Sequence, residues 1–401
     1  MGVIKVLHIL AGAKEYNGVS DFLLSYYSHM DRSKVQFDFL FCRENTMTSR
    51  EHEDFLSEST FYELGFNTLD SKLGITKYAK TLIDNVQKII EDNSHDYIHI
   101  NTGSIFLTYC CVVAAQRAKA RAIISHSHNT NPQNSRKRNK IANLFVSLSN
   151  MILRCQIRRK SDYLFACSLE AGEYLFGKRG IHSPNFHVVP NAIKTERFLF
   201  DAQVRKQLRE NYLVEENTTV LGCVGRLSRQ KNHAFLVEVF KEYHDKNENS
   251  VLWLIGEGEK RKAIEQLVAE YGLQKAVVFW GQRKDVNELL QAMDAFVLTS
   301  FFEGFGIVSL EAQAAGLTVF LPEEISHESA ISQLVTFIPL RDGAEHWASV
   351  IEGRLANPKD RVNMYDVIRT SGYDIDAAAA ALQRFYLGMP AEFPSRTRQT
   401  G

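Results

Sequence analysis

The chain has 401 residues, is 45% hydrophobic, and carries 47 basic and 47 acidic side chains. That length suits two domains, each able to bury a core of its own. No run approaches the ~20 apolar residues needed to cross a bilayer, and nothing in the balance of charge asks for nucleic acid as a partner.

The start, Met1 to Ala13, has no charged n-region with a cleavage site and reads as a first strand, Lys5–Ala11. Gly2 is followed by Val6 where an N-myristoylation signal wants Ser or Thr. The loop Gly12-Ala13-Lys14-Glu15-Tyr16-Asn17-Gly18 lacks GxGxxG, so the dinucleotide fingerprint is absent. Gly18 then opens a predicted helix, Val19–Met30, where a phosphate could approach the backbone closely.

Further strands are predicted at Val35–Phe41, Tyr97–Ile100, Arg121–Ser125, Tyr163–Cys167 and His187–Pro190, with Ile105 to Ala115 as a buried helix. From Tyr97 to Ser161 there is no Asp or Glu, but eleven Lys or Arg. Within that stretch Arg136, Lys137, Arg138 and Lys140 precede an apolar stripe of Ile141, Leu144, Phe145, Leu148 and Ile152. Arg154, Arg158, Arg159 and Lys160 follow it. Such an element either lies on an anionic membrane face or is a surface helix with solvated ends. His126 and His128 follow the strand Arg121–Ser125, on one side of an extended chain. No Cys or His with ligand spacing stands nearby, so hydrogen bonding to a substrate hydroxyl suits them better than zinc. The six cysteines are scattered and read as free thiols in a reducing compartment.

The second series of strands is Thr219–Gly225, Val251–Ile255, Ala276–Trp280, Ala295–Ser300, Thr318–Leu321 and Val335–Pro339, with helices at His233–Tyr243, Glu259–Tyr271 and Val286–Met293. Alternating β and α in two series predicts an α/β protein of two doubly wound, Rossmann-like domains, 1–190 and 191–372. A last helix near Asp376 to Tyr386 lies within 373–389, and 390–401 is a polar tail. Asp374-Ile375-Asp376 is the only Asp-x-Asp and reads as a helix cap rather than a metal–diphosphate grip.

In an open α/β sheet, ligands bind beyond the carboxyl ends of the strands. The polar clusters fall there: Arg226 to Asn232, Gly256-Glu257-Gly258, Gly281-Gln282-Arg283, and Glu303-Gly304-Phe305-Gly306-Ile307-Val308-Ser309-Leu310-Glu311. Arg226 and Lys231 flank a loop that opens a helix, which makes a pyrophosphate site. Glu303 and Glu311 bracket a Gly-Phe-Gly bend at a second helix start.

These motifs resemble the retaining GT-B glycosyltransferases of group 1, or family 4. Gly225-Arg226-Leu227, Lys231-Asn232, Gly256-Glu257-Gly258, Met293-Asp294-Ala295 and Glu303-x7-Glu311 carry the likeness, with Val189-Pro190-Asn191-Ala192-Ile193 at the interdomain entry. Ser125-His126-Ser127-His128-Asn129 and Glu311-Ala312-Gln313-Ala314-Ala315-Gly316 look like members that build bacterial capsular polysaccharides or exopolysaccharides. The resemblance implies two domains facing a cleft, with the C-terminal helix crossing back to the first, acceptor-binding domain. It implies a nucleotide-sugar donor, most simply a UDP-sugar, and a glycan or lipid-linked acceptor. Arg226 and Lys231 would grip the diphosphate, and Glu311 the ribose. Glu303 would hold the transferred sugar, with the backbone at Phe305, Gly306 and Ile307 near it. Gly18 would lie under the diphosphate. His126 or His128 would meet the sugar or acceptor, His126 favoured as the first residue past the strand. No metal or other cofactor is expected, and the setting would be cytoplasmic, at most peripheral to the membrane through 136–160. An epimerase or hydrolase on the same scaffold, or a noncatalytic nucleotide-binding subunit, are the alternatives. Two departures stand out: Leu317 follows Gly316 where the family has proline, and Asn17-Gly18 replaces a Gly-Gly pair.

Overall fold

The computed structural model describes residues 2–11, 18–42, 58–64, 74–128, 140–303, 305–356 and 361–394. The loop at 12–17, the cations Arg136, Lys137 and Arg138, and Gly304 lie outside the described residues. So do the side chains of Lys140, Ile141, Leu144 and Phe145, and the end of the tail from 395. The chain divides into two units, 1–192 with 375–401, and 193–374.

The first unit is built on seven parallel strands. They are β1 (Ile4–Leu10), β2 (Val35–Phe41), β3 (Phe61–Glu63), β4 (Tyr97–Asn101), β5 (Ile123–Ser127), β6 (Tyr163–Ala166) and β7 (Phe186–Val188). Their order is β3-β2-β1-β4-β5-β6-β7. Parallel strands are covered on both faces, which explains their nearly continuous apolar runs. One face packs Leu7, Ile9, Ile98 and Ile100 against Leu82, Val86, Cys110 and Cys111. The other packs Val6, Phe37, Phe39 and Phe165 against Phe22, Tyr26 and Tyr27 of the helix Gly18–Ser28. The last helix, Ile375–Tyr386, returns to this face and buries Ile375, Ala379, Leu382 and Tyr386. Tyr26 donates to the Pro190 carbonyl at 2.6 Å, which anchors the end of the strand series.

The second unit has six parallel strands, β8 (Thr219–Val224), β9 (Ser250–Ile255), β10 (Val277–Gly281), β11 (Ala295–Val297), β12 (Thr318–Pro322) and β13 (Val335–Ile338), in the order β10-β9-β8-β11-β12-β13. Strand β11 is only three residues long, and a polar anchor holds it beside β8. The Asp294 carboxylate accepts the Val220 N–H at 2.7 Å and the Arg205 guanidinium at 2.6 Å. Ile193 bridges to Asp374 at the base of the unit. Asp374 also accepts the Thr195 hydroxyl at 3.0 Å, so its carboxylate is occupied in the fold.

Several boundaries move. Strand β5 runs to Ser127, two residues past the expected end, so His126 lies inside the strand and His128 is the first residue beyond it. Strand β11 stops at Val297, so Leu298 to Ser300 belong to the site loop. Strand β3, at the sheet edge, was not anticipated.

Candidate functional site

In each sheet the strand order reverses at one place, between β8 and β11 in the second unit and between β1 and β4 in the first. Ligands of open α/β sheets bind beyond the strand ends at such points. The candidate residues of the second unit lie at such a point, whereas the histidines of the first unit stand on and just past β1, β4 and β5 beside the other.

In the second unit, the loops after β8 and β11 are fastened together. The Phe301 N–H donates to the Gln230 carbonyl at 2.9 Å, Gln230 Nε2 donates to the Phe302 carbonyl at 2.9 Å, and Thr299 Oγ1 donates to the Asn232 carbonyl at 3.1 Å. This brings Lys231 Nζ to 2.6 Å from Glu303 Oε1, and the Ser300 hydroxyl donates to the same oxygen at 2.6 Å. The two side chains are only 17% and 9% exposed. Arg226 behaves differently. Its side chain is 74% exposed and lies 3.3 Å from Glu259.

The β8 and β9 turns approach at backbone distance. A Cβ on Gly256, whose φ is +137°, would stand 2.1 Å from the Gly225 carbonyl oxygen. Only glycine fits that φ and that contact.

Gly306 takes the left-handed conformation (φ 71°) and begins the helix Ile307–Ala314, with no side chain capping it. A helix start presents N–H groups that an anion can meet, although the Ser309 N–H here already donates to the Gly306 carbonyl at 2.8 Å. Phe305 contributes backbone only: its ring is buried and stacks on Tyr373 at 4.7 Å. Glu311 sits one turn further on. Burial pushes its carboxyl up from 4.5 to about 7, against a downward pull from Arg197, and its carboxylate has no hydrogen-bond partner among the described residues.

The Glu311 shift makes a signed prediction. An acid whose folded pKa is raised destabilises the fold as pH climbs from its unfolded pKa to its folded one, and the penalty is constant above that. Glu311→Gln should therefore match the parent in stability at pH 4 and exceed it by roughly 1–3 kcal/mol at pH 8. Paired denaturant titrations at the two pH values check this, and equal stability at pH 8 would remove Glu311 as a strained carboxylate.

In the first unit the expected pair is part of a larger cluster. His8 on β1 pairs in register with His99 on β4, and His126 follows on the neighbouring strand. The rings of His126 and His128 lie 4.0 Å apart. His126 is fully buried, whereas His128 is partly exposed. Burial lowers all four, His8 and His128 to about 3 and the other two well below 6.5. Each ring is therefore neutral at physiological pH. Gly18 opens the helix Gly18–Ser28 on the same face of the sheet. Ser300, Gln230, His99 and Tyr386 joined these clusters without being singled out from sequence. Their signals were a polar residue at a strand end and histidines inside apolar strands. Among the described residues no group of three or more His, Cys, Asp or Glu is arranged to hold a metal.

Comparison with known proteins decides the family. Residues 204–369 match the family described as "Glycosyl transferases group 1", and residues 16–197 match "Glycosyltransferase Family 4". The chain belongs to the group 1, family 4 glycosyltransferases. It is an enzyme of that class, 29% identical over 386 residues to the Bacillus subtilis (strain 168) protein named "Putative glycosyltransferase EpsF", covering 95% of this chain and 96% of that one. It is also 27% identical over 289 residues, 70% of each chain, to the Escherichia coli UDP-Gal:alpha-D-GlcNAc-diphosphoundecaprenol alpha-1,3-galactosyltransferase. The fold superposes on that of Anabaena Alr3699/HepE in complex with UDP, with TM-score 0.73 and 16% identity, over 96% of this chain and 100% of the other. The two parallel-sheet units are those of the GT-B glycosyltransferase fold.

Proposed function

We propose that this glycosyltransferase moves a sugar from a UDP-sugar to a glycan or lipid-linked acceptor in bacterial surface polysaccharide synthesis, with retention at the anomeric carbon. The observation that carries the reading is the Lys231–Glu303–Ser300 constellation at the β8/β11 switch point, next to an uncapped helix start. Breaking the anomeric bond leaves negative charge on a nucleoside diphosphate. Lys231, the helix start and the exposed Arg226 stabilise that charge as it develops, so no resident metal is called for. Glu303 holds sugar hydroxyls, and Glu311 accepts from the ribose. The histidine pair of the first unit receives the sugar or the acceptor, and Gly18 lets the diphosphate approach its helix. The named activity of the Escherichia coli relative supports the donor and the acceptor class, and the UDP complex of the Anabaena protein supports the nucleotide. Retention follows a front-face route in which the departing phosphate takes the acceptor proton. A covalent sugar trapped on Glu303 would overturn that route.

The test is a thermal-shift screen of nucleoside diphosphates followed by UDP-sugars, since a ligand that binds only the native state raises the melting temperature. UDP should give the largest shift, and NMR of the product should show the donor's anomeric configuration kept. Inverted product, or isomerised sugar without an acceptor, would reject the reading.

Support for a peripheral membrane setting comes from the helix Lys140–Lys160, which exposes Leu148, Met151 and Ile152 by 51%, 58% and 54%. Arg158 donates to the Phe176 carbonyl and Arg154 lies over the Tyr174 ring, which leaves Arg159 and Lys160 at that end for an anionic membrane face. Six free cysteines support a reducing, cytoplasmic side. Flotation with phosphatidylglycerol but not phosphatidylcholine vesicles is the expected result, and no flotation with either removes the membrane.

A further inference from the structure

The buried face of the first unit contains a hydrogen-bonded series whose direction can be read. Tyr386, in the last turn of the helix Ile375–Tyr386, has its hydroxyl 2.6 Å from His99 Nδ1. His99 Nε2 lies 3.1 Å from His126 Nδ1. His126 Nε2 is buried and has no hydrogen-bond partner among the described residues.

Three neutral groups bring three protons to two hydrogen bonds, so one N–H or O–H is left over at an end. Either Tyr386 donates to His99 and the spare proton sits on His126 Nε2, or the series runs the other way and the spare proton sits on the phenol. Distance chooses between them. O–H donors to oxygen span ~2.5–3.0 Å, while N–H donors to oxygen span ~2.7–3.2 Å. At 2.6 Å the separation falls below the N–H range and fits the phenol as donor. His99 then accepts at Nδ1 and donates from Nε2, and His126 accepts at Nδ1 and must carry its proton on Nε2.

The neighbouring ring is set independently. Asn101 Nδ2 donates to the His99 carbonyl at 3.0 Å, which turns Asn101 Oδ1 towards His128 Nε2 at 2.9 Å. His128 therefore donates from Nε2 and keeps Nδ1 as an acceptor. The second N–H of Asn101 meets His8 Nδ1 at 3.2 Å.

We propose that Tyr386 and His99 are positioning residues that hold His126 as the Nε2–H form, so that His126 acts as a hydrogen-bond donor to an oxygen of the bound sugar or acceptor. A buried N–H without a partner is costly, and a ligand oxygen relieves it. Phe22 packs edge-on against both His126 and His128, with ring centroids 5.3 and 4.9 Å away. In this arrangement His126 takes no proton from the acceptor. The ligand's identity rests on the proposed function, whereas the direction of the series does not.

The experiment uses the full chain labelled with 15N-histidine and no ligand. Ring 15N spectra distinguish the two tautomers, with His126 assigned by the signals lost in His126→Gln. The parent should show His126 as Nε2–H, and Tyr386→Phe should convert it to a mixture with Nδ1–H. In a His99→Gln background, where an amide N–H can face His126, the Tyr386→Phe change should no longer alter the His126 spectrum. With UDP-galactose and UDP-glucose as probe donors, Tyr386→Phe should lower kcat/KM about tenfold. Finding His126 as Nδ1–H in the parent, or unchanged by Tyr386→Phe, overturns the proposal. If the parent turns over neither donor, the proposed function is in question while the spectra still decide the direction of the series.

Discussion

Replacing Lys231 by Met is expected to lower sugar transfer by about 10²–10³-fold, the usual consequence of removing one preorganised group that meets developing negative charge. In the unliganded protein Lys231 has a second task, because its ammonium is 2.6 Å from a Glu303 carboxylate that is only 9% exposed. Lysine has three N–H donors, so a diphosphate can share it with Glu303 rather than displace it. Removing the lysine takes away the cation that meets Glu303 Oε1 and leaves the Ser300 hydroxyl on that oxygen, in a mostly dry setting. Breaking a buried pair from one side typically costs roughly 3–5 kcal/mol, and the residual exposure puts this pair at the low end. The double variant Lys231→Met, Glu303→Gln separates the two tasks. It should recover most of the lost stability, because no charge is then stranded, and none of the lost activity. Denaturant melts and transfer rates on the three variants check this. Activity restored in the double variant would show that Lys231 serves only to neutralise Glu303.

That constellation was legible in the sequence because its members sit in loops directly after strands, where a run of polar residues has no packing role. Lys231, Glu303, Gly306 and Glu311 all lie within the two segments singled out by position. Ser300 was missed because it continues an apolar run and read as the end of β11. The strand instead stops at Val297, and Asp294 and its arginines hold so short a strand in place. Arg226 looked equivalent to Lys231, and nothing in the loop's composition announces that one is buried against Glu303 and the other exposed beside Glu259. Strand β3 was illegible for another reason. Three residues with an exposed-intermediate-exposed pattern offer no period to detect, and pairing to β2 alone makes them a strand.

The histidine cluster marks the limit of local reading most clearly. His8 and His99 stand inside apolar strands, where each looks like a single polar interruption, and Tyr386 looks like one apolar position of a helix. Only the strand order β1-β4-β5, with the return of the last helix, places them in one layer. Sequence spacing carries no information about which strands become neighbours.

That layer should make the first unit acid-sensitive while the second resists. The four histidines are neutral in the fold because burial lowers their pKa values, and in the unfolded chain each titrates near 6.5. Below that value the unfolded state binds more protons, so their contribution is complete above pH ~7.5 and is lost progressively as pH falls through 6.5 towards the lowered folded values, about 3 for His8 and His128. Each fully unbalanced proton removes about 1.4 kcal/mol per pH unit, so four remove about 5. Asp38 offsets part of this by favouring the charged form of His8. Against a typical stability of roughly 5–15 kcal/mol, one to three pH units are enough to unfold the unit. The second unit has one comparable ring, His233, lowered to about 4, and Glu311 acts in the opposite direction, since its penalty disappears as it is protonated below pH 7. All three tryptophans, Trp253, Trp280 and Trp347, belong to the second unit. Tryptophan fluorescence therefore reports that unit alone, while far-ultraviolet circular dichroism reports both. An acid titration should show a first loss of helix signal between about pH 6 and 4 with the fluorescence unchanged, and a second, coincident change at lower pH. His128→Gln should flatten the first transition by about one proton. A single transition shared by both probes would mean that the buried rings do not set the acid limit of the first unit.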